Sequence, residues 1–377
     1  MAGQPSQAPQ ARASAPRLAY IDGLRGVAIL AVVLYHAYAR RPDLMSFGAY
    51  YAIPPLSVGW VGVELFFMIS GFVIFMTLER SKSLAVFAWQ RWHRLFPAML
   101  TATVLIVVTS PLFAERPQGP IGWLDPLVGL TFIDPKWWSL LLRVDVKPLE
   151  GAFWSLFVEV QFYAVAAIAY FALGRRGAIA AIVAVLLLAT LAQSGLLPAG
   201  SFPQRALIAL TDRLGGGYYG WFIAGAALYL HARNGRPGML WLALAGLATS
   251  VALASPPGSW IAGKLALVSV AVLFVAALWW APLQRQLEQP IWQFLGFVSY
   301  PLYLVHENIL VALTVKLARA APGLPAGLLP IVGIAVVVGL AWLVARHAEP
   351  AVRRLLPAPR VQAPPHLATA AAHPLHA

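Results

Sequence analysis

Cysteine is absent from the 377 residues, which excludes disulfides, thiol nucleophiles and cysteine-based metal centres. Charge is scarce as well. Asp, Glu, Lys and Arg make up 11% of the chain, where about a quarter is usual for a soluble domain. Apolar residues make up 60%, and mean hydropathy is +0.73. So little charge cannot clothe a water-solvated surface, which excludes a soluble multidomain enzyme, and so much apolar residue excludes a disordered chain. The charge that exists is unbalanced, with 27 Lys and Arg against 14 Asp and Glu. In a membrane protein such an excess belongs to loops, so no nucleic-acid partner is expected. Residues 1–19 contain Pro, Gln, Ala and Ser without an apolar run and do not read as a cleavable signal peptide.

Long apolar runs are what the chain does have. A bilayer crossing takes about 20 mostly apolar residues. Ten segments qualify: 20–39, 57–78, 95–113, 152–173, 177–197, 215–232, 238–254, 260–280, 292–315 and 327–346. The expected fold is all-α, a polytopic membrane helix bundle of about ten transmembrane helices embedded in the lipid bilayer. It divides into a disordered cytoplasmic N-terminus (1–19), a transmembrane domain (20–348) and a largely disordered cytoplasmic tail (349–377). With the N-terminus inside, inner segments carry 15 Lys and Arg and outer segments 11. The bias is sharper in the short loops: the 79–94 loop carries four cations and the 255–259 turn none. Both termini are then cytoplasmic and the longest loop, 114–151, lies outside.

Ionisable residues inside spans are costly, and each is a candidate functional group. Arg25 and His36 are eleven residues apart, which closes three helical turns to within about 20° and puts them on one face about 16 Å apart. Asp22 lies one turn before Arg25 on a neighbouring part of that face. Arg25 equally suits snorkelling to headgroups, and His36 an interfacial position. Glu64 falls in the second span and Glu159 in the fourth. Ser155, Glu159 and Tyr163, at i, i+4 and i+8, form one polar stripe. Ser299, Tyr303 and His306 share a face of the ninth span, beside Glu307; they equally suit an interhelical hydrogen-bond cluster. The topology sets His36, His306, Glu64 and Glu159 in an outer pocket and Arg25, Arg91 and Arg94 at a basic inner mouth. Arg91 and Arg94 stand just before the third span and suit either a phosphate-bearing ligand or inner-leaflet anchoring. In the outer loop, Asp134, Trp137, Trp138 and Asp145 suit either a sugar grip or an interfacial belt.

The strings YIDGLRGVAILAVVLYHA (20–37), GVELFFMISGFVI (62–74), RWHRLFPA (91–98), FWSLFVEVQFY (153–163) and SYPLYLVH (299–306) resemble the integral-membrane acyltransferase 3 family, bacterial inner-membrane enzymes that O-acylate glycans and other exported molecules. Five such strings in order, from the first span through the tenth, are specific. The resemblance places the family's Arg-x10-His signature on Arg25 and His36. It places the Arg-x-x-Arg on Arg91 and Arg94, and the Trp-Ser-x-x-x-Glu on Trp154, Ser155 and Glu159. Ser70 lies within the second string. Where many members have Trp and Pro after the ninth-span His, this chain has Glu307 and Asn308. Some members append a soluble esterase-like domain, which is not seen here.

The resemblance implies a multi-pass enzyme of the bacterial inner membrane that moves an acyl group, acetyl foremost, from cytosolic acyl-CoA to a hydroxyl of a glycan or lipid-linked saccharide. Acyl-CoA is then a co-substrate, with no bound cofactor and no metal. His36 is the expected base, oriented by Glu64 or Glu159, and Arg25, Arg91 and Arg94 hold the donor's phosphates. A single channel lined by Ala28 and Val32 is expected to join the two ends. The alternative is a proton-coupled transporter in which Glu64, Glu159, His36 and His306 form a relay; the absence of a convincing internal repeat speaks against it.

Overall fold

The computed structural model describes residues 18–45, 53–54 and 56–356. The predicted disordered stretches 1–17 and 357–377 lie outside the described residues. All regular structure among the described residues is helical. In chain order the helices are α1 (Ala19–Tyr38), α2 (Gly62–Leu78), α3 (Leu84–Thr109), α4 (Asp125–Thr131), α5 (Pro135–Leu142), α6 (Phe153–Gln193), α7 (Phe202–Arg213), α8 (Tyr219–Asn234), α9 (Pro237–Leu253), α10 (Trp260–Trp279), α11 (Ala281–Leu287), α12 (Pro290–Ala320), α13 (Leu329–Leu343) and α14 (Glu349–Leu355).

Seven helical stretches are long and apolar enough to cross a membrane: those containing α1, α2, α3, α6, α10 and α12, and α13 together with α14. The structure therefore differs from the ten expected segments at three places. The fourth and fifth are arms of one 41-residue helix, α6, bent where Gly174 adopts φ 73° and ψ −175°. That conformation is essentially confined to glycine. The sixth and seventh are α8, with 16 residues, and α9, with 17.

Two further boundaries move. The N-cap Ser83, whose hydroxyl accepts from the Val86 amide, starts α3 eleven residues before the expected 95. Arg91 and Arg94 are thus helical residues in the third turn, not part of a preceding loop. At the other end the chain does not become a tail at 349. A π-helical turn (Val344–Ala348) continues into α14, and Arg353 reaches the Arg94 carbonyl at 3.5 Å.

The centre of the bundle is α1, clasped between α2 and α12. In α12, 89% of the spanning window is buried, against 22% in α6, so α12 is a core helix and α6 faces outward along most of its length. Close approach is what the glycines supply. A Cβ on Gly62 of α2 would strike the Ala28 carbonyl, and one on Gly296 of α12 would strike the Asp22 carbonyl. Small residues at these crossings replace the hydrophobic drive that lipid removes. Their effect on the site is direct, because α1 carries Arg25 near one end and His36 near the other.

Candidate active site

Two cavities flank the central helices, one toward each end of α1. The first holds Arg25, Arg91 and Arg94. Ser70, Ser155, Glu159, Tyr163, Ser299 and Tyr303 also line it. The second, which is larger, holds His36, Glu64, Trp154 and, again, Tyr303.

The arginine cavity is basic and its cations are partly unpaired. Arg25 donates to Asp22 at 2.6 Å, so the i, i+3 spacing gives an ion pair. Arg91 donates through Nη2 to the Thr77 hydroxyl at 2.6 Å and lies beside the Tyr163 hydroxyl, while its buried Nε and Nη1 make no well-formed hydrogen bond. Buried guanidinium N–H groups without acceptors cost several kcal/mol-scale desolvation, of order 1–3 kcal/mol or more each, unless something fills the role. An anion is the natural filler. Glu159 acts on the Arg91 charge without a contact ion pair: it accepts a short hydrogen bond from the Tyr163 hydroxyl, and Ser70 lies 3.5 Å from that same hydroxyl. The Ser155–Glu159–Tyr163 stripe therefore faces one cavity, as its period requires.

In the histidine cavity, His36 is held from its own helix. Its Nδ1 lies 2.9 Å from the Val32 carbonyl. A carbonyl only accepts, so Nδ1 carries the proton and Nε2 is the basic nitrogen. The His306 ring meets it edge-on, 4.7 Å between centroids. His306 is fully buried, with Nδ1 3.0 Å from the Tyr303 carbonyl and Nε2 without a partner. Glu64 is 6% exposed and its Oε2 has no hydrogen-bond partner. Trp154 and Tyr218 lie 5.0 Å apart and form an aromatic wall.

Several expectations are corrected by this geometry. The outer pocket of two His and two Glu does not form, because Glu159 lines the arginine cavity. Its whole stripe lines that cavity, whereas His36 lines the other. Neither Glu64 nor Glu159 orients His36; the Val32 carbonyl does, one turn back on the same helix. His306 lines neither cavity. The single channel is instead two cavities that share Tyr303, with Val32 in the second and Ala28 in neither. Of the outer-loop residues, Asp134 lines the histidine cavity. Trp138 donates to Thr131, Trp137 receives the Arg213 guanidinium on its ring, and Asp145 pairs with Lys147 at 3.5 Å.

Sequence reasoning missed a buried polar network that fixes the start of α6. Ala152 N–H donates to Glu307 at 2.8 Å, and Asn308 donates from its backbone to Glu150 at 2.9 Å and from its side chain to the Leu149 carbonyl at 2.7 Å. Arg116 donates to that same carbonyl at 2.8 Å. Glu307 and Asn308, the departures noted above, thus dock the segment that carries Trp154 and Ser155. No local pattern marks such a network, because its partners are up to 159 residues apart.

Glu150 is fully buried. Burial first, and then the Glu307 carboxylate, push its carboxyl well above the usual range, against the opposing pull of Asn308 and Arg116. A carboxyl that is more basic when folded stabilises the fold fully below its unfolded value, and that contribution is lost as pH rises through the folded value. Glu150→Gln removes the titration and keeps an acceptor for Asn308. Its melting temperature in detergent is expected to fall less than that of the parent between pH 5 and pH 9. Parallel curves would show that Glu150 does not titrate in that window.

A family model described as an acyltransferase domain, that of acyltransferase 3, matches residues 18–346. The chain belongs to this family, which makes it an acyltransferase by kinship rather than a proton-coupled transporter. Among its relatives is O-acetyltransferase OatA of Staphylococcus aureus strain NCTC 8325, 29% identical over 155 residues. That match covers 38% of this chain and 23% of the relative. Peptidoglycan O-acetyltransferase OatA of Listeria monocytogenes is 30% identical over 159 residues, covering 38% of this chain and 22% of the relative. The matched stretch thus spans less than a quarter of either relative's length. No solved structure matches.

Proposed function

We propose that this protein is a multi-pass enzyme of the bacterial inner membrane that transfers an acetyl group from cytosolic acetyl-CoA to a hydroxyl of a cell-wall glycan. The observation that carries this reading is the pair of cavities: one lined by Arg25, Arg91 and Arg94, the other by the His36 imidazole, the two meeting at Tyr303. The peptidoglycan O-acetyltransferase named among the relatives suggests the acceptor class. The chain crosses the bilayer ten times: the seven long stretches, the second arm of α6, α8 and α9. Both termini lie in the cytosol, so the arginine cavity opens inward and the histidine cavity outward.

The residues divide the reaction between them. Arg25, Arg91 and Arg94 bind the phosphates of the donor, and the pantetheine arm carries the thioester toward Tyr303. In the other cavity the faces of Trp154 and Tyr218 pack on a sugar ring, and the unpartnered Glu64 oxygen receives one of its hydroxyls. His36 Nε2 takes the proton of the attacking hydroxyl. The hydroxyl oxygen bonds to the thioester carbon, the C–S bond breaks, and the thiolate leaves with the proton returned from His36 as free CoA. Asp22 keeps Arg25 aimed along α1. Ser70, Tyr163 and Ser299 supply polar wall around the donor, and His306 supports His36 through ring contact.

The direct test uses purified protein in detergent, acetyl-labelled acetyl-CoA and soluble peptidoglycan fragments. Label is expected in the fragments as an ester released by mild base. Uptake of intact CoA without any ester product would overturn the reading.

A further inference from the structure

Among the described residues, Tyr303 is the one side chain that lines both cavities. Its hydroxyl lies 2.6 Å from Ser155 Oγ and donates to the Ala152 carbonyl at 2.9 Å. Its ring rests against Phe66, centroids 6.0 Å apart, and against His306 at 5.6 Å. Ser155 lines the arginine cavity while its neighbour Trp154 lines the other. The first turn of α6 therefore runs along the same wall, and Tyr303 is pinned to it from α12 by the two bonds its hydroxyl makes. Glu307 holds the other end of that attachment point, accepting from the Ala152 amide at 2.8 Å.

We infer that Tyr303 is a latched partition between the two cavities that decides whether a group on the arginine side is given to an acceptor or to water. This rests on the acyl-transfer reading for its chemical consequence, though the partition is a property of the fold. The candidate base stands in one cavity and the donor cations in the other, so the acyl carbon and the attacking oxygen meet where Tyr303 now stands. With Tyr303 latched, water that fills the large histidine cavity is kept from the thioester. Release of the hydroxyl from Ser155 and Ala152, followed by rotation of the side chain, opens the wall. An acceptor filling the histidine cavity would then displace the water that otherwise attacks. Water attack gives acetate and free CoA, with the same C–S bond broken.

Because the chain contains no cysteine, the partition can be tested without any donor. A single cysteine replaces Val73, which lines only the arginine cavity. It is challenged with a charged, membrane-impermeant methanethiosulfonate from each side of sealed vesicles. With Tyr303 in place, labelling is expected only from the side on which Arg94 opens. Tyr303→Ala should raise the far-side rate at least tenfold and leave the Arg94-side rate within twofold, the latter showing that the fold is kept. Tyr303→Phe retains the ring and loses the latch; it should raise the far-side rate several-fold and increase the ratio of acetyl-CoA hydrolysis to transfer. Two-sided labelling with Tyr303 intact would overturn the inference, as would unchanged far-side labelling in Tyr303→Phe and Tyr303→Ala. Two-sided labelling in the variants without turnover of acetyl-CoA would keep the partition and count against the acyl-transfer reading alone.

Discussion

His36→Ala is expected to abolish transfer while leaving the protein folded. The imidazole Nδ1 is engaged by the Val32 carbonyl of the same helix, so the ring can be removed without breaking a bond between helices. What is lost is Nε2, the basic nitrogen of a ring that lines the second cavity. A positioned general base contributes about 10²–10⁴-fold to rate, and alanine leaves no group to replace it. Transfer by purified variant and parent, measured beside their melting temperatures, checks both halves of the expectation. Full activity in the variant would remove His36 from the chemistry. His306→Ala differs in kind. His306 lines neither cavity and is fully buried, so its loss should lower the melting temperature as well as the rate.

The second large effect is on donor affinity. Arg91→Gln with Arg94→Gln is expected to raise the KM for acetyl-CoA by about 10–100-fold, on the basis of about 1.5–3 kcal/mol for a charge-assisted hydrogen bond, partly screened at the open mouth. The rate at saturating donor should change little, since in the proposed reading these groups hold phosphates far from the reacting carbon. Two comparisons separate this from general damage. Acetyl-pantetheine lacks the phosphates and should be used equally by parent and variant. Lysine at both positions should restore affinity only in part, because an ammonium cannot present the paired donors of a guanidinium. Equal KM values in parent and double variant would contradict the clamp.

Much of this site is written in local periods. Arg25 and His36 sit near opposite ends of one straight helix, and eleven residues suffice to put them on one face. The Ser155–Glu159–Tyr163 stripe is likewise a property of helical spacing, and the structure turns all three into one cavity. Which cavity a stripe faces is not local. Glu159 was expected beside His36, but the rotation of α6 about its axis is set by packing on α8, where Phe162 stacks on Phe222 with centroids 4.1 Å apart, and by the docking of Ala152 on Glu307, a contact across 155 residues. The start of α3 is not legible in hydropathy, because Arg91 and Arg94 depress it in a stretch that is nonetheless helical and capped by Ser83. The number of long spans fell to seven because a glycine bend divides one helix without ending it, and because α8 and α9 are short. Glu79 shows the same limit: the half-buried acid binds Arg233 at 2.8 Å and Arg175 at 3.4 Å, from two other helices, and nothing near it in the chain marks that role.

The central claim is that donor and acceptor sites open on opposite faces of the membrane and meet at Tyr303. Proteoliposomes with the protein in one orientation test it most directly. Acetyl-CoA, which does not cross the bilayer, is supplied on the side where Arg94 opens, and peptidoglycan fragments are supplied only on the other. Ester on the fragments is the expected result, with none formed when the two substrates exchange sides. Ester formed only when both substrates share one side would contradict the account.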